Sequence, residues 1–304
     1  MSVDDDRLAA ALKIAEANPS AILAFVGPTA SGKTDLAIRV AEALGGEIVS
    51  VDSVQVYRGF DIGSGKPTAE EQARARHHLI DVVGPQDPID AARFAALANA
   101  AIEDVRARGK VAILCGGTFL WMKALLFGLV EAVAADESIR ARHREEAATL
   151  GNQALHDRLR AIDPASADRL HPNDVVRVSR ALEVHELTGR TITDAHKEHG
   201  FASTHHEAQL VAVLRTPDEL TVRIRTRVAA WLEGGFLEET QRLLDEGHGE
   251  TRAMQTVGYL EAKQHLLGLL PRDELLETIV RRTRVFARRQ RTWLNKPGAS
   301  LTWL

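Results

Sequence analysis

Cysteine is almost absent. The single Cys115 among 304 residues excludes an internal disulfide and a cysteine-based metal cluster, and its place in the apolar run 111–115 reads as packing. Long hydrophobic runs are missing too. No stretch approaches the roughly 20 apolar residues of a membrane span, and the start, Met1-Ser2-Val3-Asp4-Asp5-Asp6, is acidic where a signal peptide is basic. A cytoplasmic protein with no membrane partner is expected. The twelve histidines lack the company a metal needs, because the pairs His77-His78 and His205-His206 stand without further ligands, which suits solvated or hydrogen-bonded imidazoles. An excess of positive charge is also lacking, since the net charge is −4, but its distribution is uneven. Arg281, Arg282, Arg284, Arg288, Arg289 and Arg291 follow one another with no acid between them, a pattern that fits either a phosphate-backbone contact or a solvated face.

What is present points first to phosphate. Gly27-Pro28-Thr29-Ala30-Ser31-Gly32-Lys33-Thr34 is a G-x-x-x-x-G-K-[ST] loop. In such a loop backbone N–H groups face inward, the lysine neutralises phosphate charge and the final hydroxyl reaches a phosphate-bound Mg²⁺. The flanks agree: the apolar run Ala21 to Val26 precedes it, and Leu36, Ala37, Val40, Ala41 and Leu44 follow at helical spacing before Gly45-Gly46. Glu47 to Asp52 is a second β-rich run, and its closing acid should lie at a strand carboxyl end, where open α/β sheets gather their ligands. Asp52 is then a candidate base or a helix-cap or Mg²⁺-water ligand. A third run, Val111 to Cys115, reads as a central parallel strand. A nucleoside triphosphatase usually follows such a strand with a Mg²⁺-handling aspartate; here Gly116-Gly117-Thr118 follows, which suits a diphosphate bound without triphosphate hydrolysis.

The remaining chain reads as α/β with an insertion. We expect an N-terminal helix over 5–18, a strand-like segment over 77–82, and a helix over 91–108. Charged helices follow over 137–150 and 152–162, and a third begins at Pro172-Asn173-Asp174, with Arg177 and Arg180 on one face and Leu182 and Leu187 packing. Leu210 to Leu214 returns to strand character. Thr216-Pro217-Asp218-Glu219 opens a helix by a capping box, with a buried stripe of Leu220, Ile224, Val228 and Trp231, and with Arg223 and Arg227 on another face. A helix over 238–246, a loop at 255–259, the basic helix and a terminal edge strand over 300–304 complete the chain.

These segments together resemble the tRNA dimethylallyltransferases (tRNA isopentenyltransferases). The matching pieces are the phosphate loop, Asp52-Ser53-Val54-Gln55-Val56-Tyr57, Asp61-Ile62-Gly63 with Lys66-Pro67, and Gly116-Gly117-Thr118. Further on come His171-Pro172-Asn173-Asp174 leading to Arg177, Arg180 and Ala181-Leu182-Glu183-Val184, then Val257-Gly258-Tyr259, and Arg288-Arg289-Gln290 with Thr292-Trp293-Leu294. Each is weak alone; in this order, from residue 21 to 294, they are specific.

The resemblance implies a P-loop NTPase-like parallel sheet, residues 1–126 and 200–304, with a small helical tRNA-binding domain inserted at 127–199. It implies transfer of a dimethylallyl group from dimethylallyl diphosphate to N6 of the adenosine just 3′ of the tRNA anticodon, with Mg²⁺, by a monomer. Asp52 would be the base and Thr118 its companion at the reacting groups. Residues 27–34 with Arg177 and Arg180 would hold the diphosphate, and Thr34 the Mg²⁺. Contacts to tRNA would come from Asp52, Ser53, Val54 and Gln55, the last a candidate for reading a base edge, and from Arg140, Val176, Arg177, Val178, Ser179 and Arg180. Gln255, Thr256, Val257, Gly258, Tyr259 and Leu260 would add to them, as would Thr283, Arg284, Arg288, Arg289 and Gln290. The target base would have to turn out of its stack, at a cost of a few kcal/mol.

Three departures stand out. Trp121 replaces a usual tyrosine and is expected only to pack, Val176 stands where glutamine is common, and the segment from Phe201 to His206 is short. Two other readings compete: a small-molecule P-loop kinase, disfavoured by the missing acid after Leu114, and a tRNA-recognition module without chemistry, disfavoured by Asp52 and Thr118 beside a whole phosphate loop.

Overall fold

The computed structural model describes residues 3–128, 136–199, 205–294 and 301–304. In chain order the first elements are α1 (Val3–Ala17), β1 (Ile22–Val26), α2 (Lys33–Leu44), β2 (Glu47–Val51), α3 (Ala69–Arg74), β3 (His77–His78), α4 (Ala91–Ala107), β4 (Ala112–Gly116) and α5 (Phe119–Phe127). Five helices follow: α6 (Glu137–Leu150), α7 (Asn152–Ile162), α8 (Pro164–Arg169), α9 (Val175–Thr188) and α10 (Ile192–His199). The chain closes with β5 (Ala208–Ala212), α11 (Pro217–Glu233), α12 (Phe236–Asp245), α13 (Tyr259–Leu266), α14 (Arg272–Leu294) and β6 (Leu301–Trp303). Two compact units result, Met1–Leu126 with His206–Leu304, and Phe127–His205.

The first unit is built on a sheet of order β3-β2-β4-β1-β5-β6, parallel at every pairing. All five residues of β1, of β2 and of β4 are buried, which explains their nearly unbroken apolar sequences: both faces of a parallel sheet are covered. From α2, Leu36, Ala37, Val40 and Ala41 pack against this sheet, and left-handed Gly45 (φ 61°) ends the helix. The parallel order puts the residues after Val26, Val51 and Gly116 at one edge, where the chain switches from one side of β1 to the other.

Several expectations need correction. The strand foreseen over 77–82 shrinks to His77–His78, because Leu79 (φ 63°) and Asp81 (φ 58°) adopt left-handed backbone that cannot continue a ladder. Trp231 is only partly buried, unlike Leu220, Ile224 and Val228, because it turns toward a cavity. The terminal strand holds over 301–303, while Ser300 lies outside the described residues. So do residues 201–204, on which the short segment before His206 falls.

The second unit is helical. Leu155, Leu159, Ala167, Val178, Ala181 and Leu182 form its core. The short helices α8 and α10 were not anticipated; Asp163 caps α8 through the Ser166 amide and also binds Thr193 of α10, so one acid organises both. Leu187 is 39% exposed, because at 3.6 residues per turn it lies about 140° around α9 from buried Leu182. Among the described residues no helix is long and apolar enough to cross a membrane.

Candidate active site

The phosphate loop leaves β1 and ends at Gly32 (φ 96°), a left-handed position that favours glycine, before α2 begins. Ala30 is also left-handed (φ 64°), a local strain held by surrounding contacts. Those contacts come from outside the loop. Arg223 Nε donates to Ala30 C=O at 2.7 Å, Arg215 Nε to Ser31 C=O at 3.2 Å, and an Arg227 nitrogen to Thr29 Oγ1 at 3.3 Å. These arginines of α11 and its approach occupy loop oxygens, while the Thr29 amide donates to Gln290 Oε1 at 2.8 Å and the Ser31 amide to Pro28 C=O at 3.3 Å. Ser31 is fully buried and its hydroxyl finds no hydrogen-bond partner among the described residues. Lys33 donates to Pro28 C=O at 3.4 Å, and its pKa lies below the ordinary lysine value, chiefly because burial strips its water and partly because Arg227 is near. A partly buried cation and an orphaned hydroxyl in one cradle suit a polyanionic ligand.

The carboxylate of Asp52 follows β2. Its Oδ1 accepts the Val54 amide at 2.9 Å and the Gln55 amide at 3.3 Å, a local turn that fixes the side chain. Next to it, Thr118 Oγ1 accepts the Ser53 amide at 3.1 Å, while the Thr118 amide donates to Val51 C=O at 3.3 Å. Close approach makes this seam possible, since a Cβ on Gly116 would lie 2.1 Å from Val51 O. Two cavities meet here. One, of about 240 Å³, is polar and takes in Lys33, Thr34, Ser50, Arg223 and Arg227; the other, of about 310 Å³, includes Val54, Thr118, Trp231, Val257 and Phe286. Thr29, Lys33, Asp52, Ser64 and Arg227 line both, so the carboxylate and the lysine stand at the junction.

Other expected contacts are placed differently. The Gln55 carboxamide is occupied, with Oε1 accepting Ser50 Oγ at 2.9 Å and Nε2 donating to Gly65 C=O at 3.0 Å, so it ties down the 63–66 turn and is not open to a base edge. Tyr259 and Gly258 are buried; the Tyr259 hydroxyl donates to Glu239 Oε1 at 2.6 Å, and burial beside that carboxylate pushes its pKa far up. Gln290 points inward from α14 and is buried. In the helical unit Val178 is fully buried and Ser179 Oγ binds His143 Nδ1 at 2.9 Å, because both lie on the core side of α9. These side chains offer tRNA no free group.

The arginines divide into two sets. Arg140 makes a two-point contact with buried Glu183 (2.9 and 3.0 Å), Arg180 meets the same carboxylate at 2.6 Å, and Arg177 Nε meets Asp174 at 2.6 Å. Arg284, Arg288 and Arg289 are exposed on α14, with no ion-pair partner among the described residues. Gln255 and Val176 are exposed as well.

Two sets of residues escaped sequence reasoning. Arg223 and Arg227 were visible only as a shared helix face, and Arg215 gave no signal. Glu239 was not singled out within the 238–246 helix, yet it is buried and accepts the amides of Asp61 (3.2 Å), Ile62 (2.9 Å) and Gly63 (3.5 Å), anchoring the loop whose Ser64 borders both cavities.

No group of three or more His, Cys, Asp or Glu side chains among the described residues could cage a metal. A hard cation would therefore depend mainly on phosphate oxygens and water, with the Thr34 hydroxyl beside them, a donor set that fits Mg²⁺ carried in on a diphosphate.

A phosphate cradle on a parallel sheet, opening across a carboxylate into a second cleft, defines a P-loop enzyme of the group-transferring kind. Comparison with known proteins narrows the class. Residues 55–297 match the family model described as IPP transferase. The tRNA dimethylallyltransferase of Sorangium cellulosum is 59% identical over 281 residues, covering 92% of this chain and 90% of that one. Among solved structures, the tRNA isopentenylpyrophosphate transferase of Bacillus halodurans is 37% identical with a TM-score of 0.69, over 94% of this chain and 89% of the other. A eukaryotic dimethylallyltransferase studied acting on tRNA is 26% identical with a TM-score of 0.75, over 91% of this chain and 70% of that one. The chain belongs to the IPP transferase family, the tRNA dimethylallyltransferases, and shares their P-loop NTPase-like fold. Nothing in these comparisons supports a kinase.

Proposed function

We propose that this protein transfers the dimethylallyl group of dimethylallyl diphosphate to N6 of the adenosine immediately 3′ of a tRNA anticodon. The observation that carries the reading is the junction of the two cavities: a diphosphate cradle on one side, a cleft with apolar walls on the other, and Asp52 between them. In the reaction the C1–O bond of the donor breaks, the N6–C1 bond forms, and the diphosphate leaves with the electron pair. Lys33, Arg223 and Arg227 face the growing charge on the leaving group, where fixed positive groups lower the barrier. Thr34 would help hold a Mg²⁺ carried in on the diphosphate, and the ion would supply further neutralisation of the leaving group. Asp52, oriented by two backbone amides, takes the N6 proton as the new bond develops. Thr118, fixed by the Ser53 amide, keeps its hydroxyl beside the reacting groups.

The adenine enters the larger cleft, where Trp231 and Phe286 give it aromatic surface after it leaves its stack. The exposed arginines of α14 and the exposed Gln255 are the groups we assign to the RNA, the arginines to its backbone. The resemblance adds the helical unit as a tRNA-binding element.

The test uses unmodified tRNA, radiolabelled dimethylallyl diphosphate and Mg²⁺. Label should pass into the RNA at the adenosine next to the anticodon. RNA that stays unlabelled at all enzyme concentrations would refute the proposal.

A further inference from the structure

Gln290 sits on the turn of α14 that carries Arg288 and Arg289, yet it is 6% exposed and directed into the sheet edge. Both ends of its amide are used. Oε1 accepts the Thr29 amide, within the phosphate loop, at 2.8 Å. Nε2 donates to the carbonyl of Gly117, on the loop after β4, at 3.0 Å. A Cβ on Gly117 would come within 2.4 Å of that nitrogen, so a glycine makes room for the bond. The next residue, Thr118, holds the Ser53 amide beside Asp52. A stack of Phe119 on Trp293, with centroids 4.4 Å apart and planes 14° apart, fixes the same end of α14 to the start of α5.

We propose that Gln290 is a positioning residue for the transfer reaction: its amide sets the spacing between the diphosphate cradle and the Asp52–Thr118 pair. This rests on the reading of the cradle given above. The site needs one acceptor and one donor on the same short side chain, which a carboxamide supplies. A glutamate would turn an oxygen toward the Gly117 carbonyl and put negative charge beside the leaving group. A methionine would fill the space with neither bond. Because the Thr29 amide is already taken, the phosphate is left to the remaining amides of the loop.

The test compares Gln290→Met, Gln290→Glu and Gly117→Ala with the wild-type protein. The last displaces the amide without altering Gln290, so it keeps the inference testable if a Gln290 variant does not fold. Four quantities are read: the melting temperature, inorganic pyrophosphate affinity by calorimetry, tRNA Kd, and single-turnover rate with both substrates saturating. A displacement near 1 Å at reacting groups costs about 100-fold in rate, so we expect losses of roughly 10- to 100-fold in turnover. The tRNA Kd should stay within about threefold, because Gln290 offers RNA no exposed group. Pyrophosphate should bind more weakly to Gln290→Glu than to Gln290→Met, since only the former adds like charge. Variants that turn over normally, with or without a lower melting temperature, would overturn the inference. So would a weakened tRNA Kd with an unchanged rate, which would make Gln290 an RNA contact. A wild-type protein that itself fails to bind pyrophosphate would instead sink the diphosphate reading of the cradle.

Discussion

Replacing Asp52 by asparagine separates its chemistry from its architecture. In the native protein Oδ1 accepts the Val54 and Gln55 amides, at 2.9 and 3.3 Å, and asparagine can accept the same two bonds through its carbonyl oxygen. The turn after β2, the Ser53–Thr118 bond and the wall of the cleft should therefore survive. What disappears is a group able to take the N6 proton. General base catalysis contributes about 10²- to 10⁴-fold, so Asp52→Asn should slow single-turnover transfer by that factor, about 3–5 kcal/mol in barrier. Asp52→Ala should lose as much in rate and in addition about 1 kcal/mol of stability per net hydrogen bond removed. The assay is rapid-quench transfer of labelled dimethylallyl groups at saturating tRNA, beside a filter-binding tRNA Kd and a thermal melt. An asparagine variant within about threefold of the wild-type rate would refute the base assignment, as would a rate loss fully explained by weaker tRNA binding.

Further expectations come from charge and close packing. The Lys33 pKa is depressed in the folded, ligand-free protein, so folding disfavours its proton, and stability should rise as pH climbs from the depressed value toward the ordinary lysine range. Lys33→Met should abolish that rise while weakening pyrophosphate binding; an unchanged stability–pH curve would count against a desolvated lysine in the cradle. At the other end of β2, Glu47 is buried and bound by Arg108, Lys110 and His78, with the Arg108 hydrogen bond the main cause holding its carboxyl below the usual range. Its contribution is present above the ordinary glutamate pKa and fades as pH falls through the depressed one. Glu47→Gln should cost about 3 kcal/mol at neutral pH and flatten the acid limb of a melting-temperature profile. Gly63→Ala should lower stability and transfer together, because the new Cβ would lie 2.2 Å from the Phe236 ring and force the loop that Glu239 anchors; a melt and the transfer assay check this. Neutralising Arg288 and Arg289 together should lower the slope of log Kd for tRNA against log salt by about 1 to 2, and an unchanged slope would place the RNA elsewhere.

What could be read in advance was what short windows encode. The phosphate loop declares itself through glycine spacing, β1 and β4 through apolar runs and β2 through a β-rich one, because burial on two faces of a parallel sheet favours such residues. The positions of Asp52 and Thr118 followed, since strand ends in a parallel sheet share one edge. Side-chain direction did not follow. Gln55, Gln290 and Tyr259 have the residue types of RNA contacts, but partners distant in sequence or fixed by local turns take their polar groups: Gly65 for Gln55, Thr29 and Gly117 for Gln290, Glu239 for Tyr259. Glu239 shows the reverse, a carboxylate on a polar helix whose use depends on backbone amides 176–178 residues away. Leu79 and Asp81 ended β3 through backbone angles that their identities do not advertise.

The central claim is that the carboxylate at the end of β2 faces the carbon being transferred while the loop holds the leaving diphosphate. A crystal structure with tRNA and a non-cleavable thio-diphosphate analogue of the donor tests it most directly. The account predicts phosphate oxygens on the loop amides and Lys33, with the donor C1 between the diphosphate and an adenine N6 that lies within hydrogen-bond reach of Asp52. An analogue whose diphosphate avoids the loop, or an N6 beyond the reach of Asp52, would contradict it.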